Sequence, residues 1–198
     1  MSVQLTNEQI AKVGNTVIYL SNGVSELMRT KLLKLLFLIE EKSIKESGKP
    51  FFNLDFKIWQ FGPVVEPIYN EMTNQETNIF QDYFRKNQFD EFIAVNGFDD
   101  DEFSNNDIAL LDKMIDFARH KIAQDFVRIT HSKESLWRKS ALEHGILEQL
   151  ESKVLSTTDF SINFLRLFDG DEDSYIFEKY VCFLENSTFS NNFKLRSV

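Results

Sequence analysis

A single cysteine, Cys182, excludes an intrachain disulfide in this 198-residue chain. The core must therefore hold by packing alone, and a reducing cytoplasm is the compartment that such cysteine usage fits. Cys182 itself reads as a small buried hydrophobe on a helix. Three prolines and seven glycines leave few positions for tight hairpins, which favours helix. No apolar run approaches the roughly 18 residues that a membrane span needs, because the longest, Leu32 to Ile39, is broken by Lys34. The opening MSVQLTNEQ lacks a basic segment followed by an apolar one, so no secretory signal is expected. The chain also has no phosphate-binding glycine loop, no GxGxxG and no nucleophile elbow. His120, His131 and His144 show no metal-ligand spacing with one another or with Cys182. Neither a cofactor, a metal nor a catalytic residue is expected. A Cys182–His131 hydrolase dyad would require an exposed thiol beside a histidine.

What the chain has instead is apolar and acidic. Hydrophobic residues make up 42% of it, including 20 Phe, enough for one thick aromatic core. The net charge of −9 disfavours a protein built to grip phosphate backbones and suits a basic partner. The expected fold is mainly α: a compact helical domain around a central apolar helix, with a small two- or three-stranded β element. Thr6 and Gln9 have capping-box spacing and start a helix that Ser21-Asn22-Gly23 stops. The central helix is expected from near Ser25 to Gly48. Met28, Leu32, Leu35, Leu36 and Ile39 form one face and Leu33, Phe37 and Leu38 much of the other. Only a narrow stripe through Lys31 and Lys34 is left for water, with the lysine stems lying along apolar surface.

Phe51 to Phe61 reads as a short strand ending at the turn that Gly62-Pro63 forces. Pro67 then opens a helix bearing Ile68, Tyr69 and Met72. Phe89, Phe92, Ile93 and Val95 are expected to form a strand pairing with the first. Asp99 to Glu102 reads as a solvated acidic loop rather than a cation site, and it leads into a helix capped by Ser104 and Asp107. That helix carries Ile108, Leu111, Met114, Ile115 and Ala118 inward, and the next one Ile122, Phe126 and Ile129. Between Arg119 and Lys139 the charge turns basic, with Lys121, Arg128, Lys133 and Arg138 in between. Beyond Gly145 two more helices are expected. Asp169, Asp171 and Asp173 open like a calcium loop but lack its glycine and its glutamate, and the tail from Ser187 is expected to fray.

Three segments together carry a family resemblance: Lys31-Leu32-Leu33-Lys34-Leu35-Leu36-Phe37; Trp59-Gln60-Phe61-Gly62-Pro63-Val64-Val65-Glu66-Pro67-Ile68-Tyr69; and Thr130-His131 followed by Ser135-Leu136-Trp137. Over about Val17 to Ala141 the chain resembles the Panacea domain family, which includes the SocA-like antitoxins. The resemblance implies a domain over residues 1–145, with 146–198 as a helical extension packed on it. It implies a non-enzymatic antitoxin that binds and neutralises a cognate toxin, a protein expected to be basic, and in some cases hands it to a protease. Lys31, Lys34, Trp59, Phe61, Gly62, Pro63, Val64, Tyr69, His131 and Trp137 are the positions that match the family's pattern. The aromatics, Gly62, Pro63 and His131 read first as packing residues. Toxin contacts are expected instead from the acidic helix faces or the segment after Gly145. The alternative function is a nucleic-acid-associated regulator that uses the basic stretch 119–139.

Overall fold

A computed structural model describes residues 4–74 and 78–195. Its centre is the helix Arg29–Ser47 (α2), which Gly48 ends in the left-handed conformation, φ +70°. Leu32, Leu35, Leu36, Phe37 and Ile39 on α2 are all within 1% of full burial. A helix apolar on so many sides must be surrounded, and α2 touches most of the later elements of the chain. Four residues of the expected start are not helical: Glu26 takes a left-handed φ of +52°, which breaks the helix before it begins.

The first helix, Asn7–Ser21 (α1), carries the expected capping box at Thr6 and Gln9. After α2 the chain does not form a strand across Phe51–Phe61. Residues 51–54 wrap the buried end of Glu40, Asn53 takes φ +54°, and the strand is confined to Lys57–Trp59 (β1). Its partner is Gly62–Val64 (β2), antiparallel, with Ile58 opposite Pro63 and Trp59 opposite Gly62. The Gly-Pro pair thus lies within the returning strand. A helix, Glu66–Asn74 (α3), starts one residue before Pro67.

Phe92–Ala94 (β4) pairs with Phe84–Lys86 (β3), not with β1. This second hairpin lies on α1. The correction has a local cause: the edge of β1 left free by β2 is occupied by the extended segment 156–162. The Ile58 amide donates to Phe160 O, Gln60 to Ser156 O and Ile162 to Phe56 O, all within 2.9 Å. Asn105–Ala118 (α4) has the expected Ser104–Asp107 cap. Ala123–Thr130 (α5), Leu136–Glu143 (α6) and Leu147–Glu151 (α7) follow. Ile122, expected to face inward, is 53% exposed just ahead of α5. A 3-10 turn, Phe164–Phe168, and the helix Tyr175–Leu195 (α8) complete the chain, and α8 runs on past Ser187 where fraying was expected. Phe164 meets Phe37 of α2 and Phe56 at ring distances of 5.9 and 6.0 Å. The segment after Gly145 therefore shares the central core.

Candidate functional site

Most of the residues singled out by sequence converge on the turn between β1 and β2. Two residues, Gln60 and Phe61, make the loop, and the positive φ of the reversal, +100°, falls on Gly62. A side chain there would be strained, and it would displace the end of Lys34 and crowd His131. A Cβ on Gly62 would lie 2.8 Å from Lys34 Nζ and 3.1 Å from His131 Cε1.

Three side chains from three different helical elements reach this loop. Lys34 of α2 is only 3% exposed, and its ammonium donates to Pro63 O at 3.0 Å. Lys34 thus lies under the hairpin, not on a watered stripe, and burial holds its ammonium down to about 7. His131, the residue that caps α5, has Nδ1 2.9 Å from Val127 O and Nε2 3.0 Å from Gln60 O. A neutral ring can donate to one of these carbonyls; the imidazolium donates to both. Trp137 of α6 is 1% exposed, donates Nε1–H to Trp59 O at 2.8 Å and packs its ring on His131 at 4.2 Å. Its position is set by Ser135, whose hydroxyl accepts from the Arg138 amide at the start of α6. The carbonyls of Trp59, Gln60 and Pro63 are thus each held by a side chain anchored elsewhere in the fold.

The aromatic faces divide. Trp59 is half-buried, donates to Thr158 O at 3.3 Å and meets Tyr69 edge to face at 5.0 Å, while Arg29 lies 5.2 Å over the Tyr69 ring. Val64 is buried. Phe61 is not: it is 70% exposed at the tip, so the expectation that it packs is wrong. The two flanking turn residues cannot shield it, since the chain reverses directly beneath it. Lys31, also buried, serves a different turn, where its ammonium donates to Ser25 O at 2.8 Å.

Glu40 of α2 carries no motif in the sequence that marks it. It is 1% exposed, and its carboxylate accepts from the amides of Phe51 and Phe52 at 2.7 Å and of Leu54 at 3.3 Å. Burial pushes it up to about 7 against the pull of those amides. Its place four residues after Leu36 and three after Phe37, on a helix apolar on most sides, was the available signal. Cys182 is exposed, not buried, and its sulfur lies 3.4 Å from the Asn186 amide. Asp99, Asp100 and Asp101 are exposed together in their loop. In the basic stretch, Arg119 pairs with Asp116, Arg128 with Asp125, Arg138 with Glu151 and Lys139 with Asp169. No helix among the described residues is long and apolar enough to cross a membrane.

The model of the antitoxin SocA-like family, Panacea domain, matches residues 32–138, more than half of the chain. The chain belongs to that family. The matched part of this Panacea domain contains Lys34, the whole β1–β2 hairpin, His131 and Trp137, so the contacts that hold the turn are internal to it. The segment 156–162 that edges β1 lies outside it. No curated protein and no solved structure matches the chain.

Proposed function

We propose that this protein is an antitoxin that neutralises a cognate toxin by binding it directly, as a non-catalytic cytoplasmic protein. The observation that carries the proposal is membership of the SocA-like antitoxin family across residues 32–138. The site agrees in kind: its buried polar groups are engaged with main-chain carbonyls of the hairpin and act as supports, and its outermost group is an aromatic ring. A net charge of −9 favours a basic toxin. Delivery of the bound toxin to a protease is a further step that the family reading allows. Nucleic-acid binding through residues 119–139 has less support, because Arg119, Arg128, Arg138 and Lys139 already face carboxylates.

The test is co-expression with the product of the adjacent gene. Relief of growth arrest together with a purified complex is the expected result. If co-expression yields no relief and no complex, the proposal falls. Steeply salt-dependent binding to nucleic acid by the purified protein would favour the alternative.

A further inference from the structure

The β1–β2 hairpin carries a mismatch between what holds it and what it holds. Lys34 is a buried amine, and taking an ammonium out of water costs several kcal/mol unless it is well compensated. Trp137 is among the largest fully buried side chains. Both direct their polar ends, with that of His131, at the carbonyls of residues 59, 60 and 63. The edge of β1 is fixed as well, through the Gln60 amide on Ser156 O. The residue this scaffold presents is Phe61, with 70% of its surface in water. An exposed phenyl ring contributes little to the stability of the free protein. A turn fixed on every side with an aromatic at its apex has the form of an anchor prepared in advance, which lowers the ordering cost of association.

The surroundings extend the anchor. Val154 is 80% exposed, two residues before the Ser156 that binds Gln60. Phe160, 44% exposed, follows along the same extended segment, where it stacks on His144. Exposed apolar residues thus stand both on the family hairpin, at Phe61, and on the segment beyond the family match whose backbone pairs with it, at Val154 and Phe160. The other hairpin supplies a contrast. Phe89 is 65% exposed between β3 and β4, and its loop is tied by the side chain of Asn87, within the loop itself.

We infer that the β1–β2 hairpin is the toxin-docking element, with Phe61 inserting into an apolar pocket on the toxin and Val154 packing at its rim. The inference rests on the antitoxin reading and adds to it the surface that does the binding. The occupant is a protein: the exposed residues on and beside the hairpin are apolar, and the chain as a whole is acidic, whereas a base-stacking platform for nucleic acid sits in a positively charged groove. Buried aromatic anchors of this kind carry most of the binding energy where they occur.

The experiment compares the full-length wild-type chain with Phe61→Ala, Val154→Asp and Phe89→Ala, each assayed for binding to the adjacent gene's product, for growth rescue and for melting temperature. Phe61→Ala is expected to melt as the wild type does, to bind about thirtyfold more weakly, and to lose rescue. Val154→Asp is expected to weaken binding, and Phe89→Ala to leave it unchanged. If Phe61→Ala and Val154→Asp bind as tightly as the wild type, the docking surface is elsewhere and the antitoxin reading stands. A large fall in melting temperature for Phe61→Ala would make that ring a packing residue and overturn the inference. Loss of nucleic-acid binding in place of protein binding would overturn it also. A wild-type chain that neither binds nor rescues ends the antitoxin reading, and the docking element with it.

Discussion

At Lys34 an ammonium group lies under the hairpin, 3% exposed, with the Pro63 carbonyl 3.0 Å away. The unfolded chain holds that proton up to about 10.5, and the folded chain only to about 7. Between those values the unfolded state binds more protons, so stability rises with pH. The contribution is fully present above about 10.5 and is lost as the pH falls through about 7. Urea unfolding of the wild type should therefore gain roughly 1 kcal/mol per pH unit through the middle of this window, on the order set by one proton per unit. Lys34→Met, of similar length and uncharged, should lack that slope between pH 7.5 and 9.5. Parallel profiles for the two proteins would refute the assignment. The sequence placed Lys34 on the helix correctly, but helical spacing reports only direction. Whether a lysine meets water or a hairpin depends on what lies over that face, and Pro63 is 29 residues away.

The β1–β2 hairpin receives polar side chains from three helical elements, and Gly62 carries its reversal. Alanine there would meet two obstacles: a φ of +100°, costing an L-residue about 1–2 kcal/mol, and a Cβ 2.8 Å from Lys34 Nζ. Gly62→Ala should lower the melting temperature by about 4–8 °C for a destabilisation near 2 kcal/mol. It should also weaken toxin binding, because the tip is displaced; an unchanged melting temperature would show that the turn has another route. The Gly-Pro pair was legible as a reversal. That β2 begins at that glycine was not, because strand pairing is decided by the partner edge. The same limit explains why the sequence pattern alone does not separate a β4–β1 pairing from the observed β4–β3 one: alternation of apolar residues marks a strand without naming its neighbour.

Across the molecule, the segment after Gly145 is part of one core. Leu147, Leu150, Ile162, Phe164, Phe168 and Tyr180 are all buried, and residues 156–162 edge β1. At about 1.5–3 kcal/mol for each large apolar side chain, this burial is comparable with the whole stability of a typical domain, about 5–15 kcal/mol. A chain ended at Gly145 should therefore lose its cooperative unfolding transition, as followed by circular dichroism on heating. A sharp transition in the shortened chain would instead make residues 1–145 a self-sufficient unit. The expectation of toxin contacts on acidic helix faces is also a question at this scale, since faces become surfaces only after the elements have packed.

The sequence by itself determined the helical class, the caps at Thr6 and Ser104, the centrality of α2 and the family, because each rests on local chemistry or on residues that stand close together along the chain. The tertiary structure alone decided that Lys34, His131 and Trp137 meet on one turn, that Glu40 is buried against the amides of 51–54, and that Phe61 stands in water. These depend on contacts between residues up to 78 positions apart. Burial at such a point is the outcome of packing several elements at once, and no single stretch of the chain contains it.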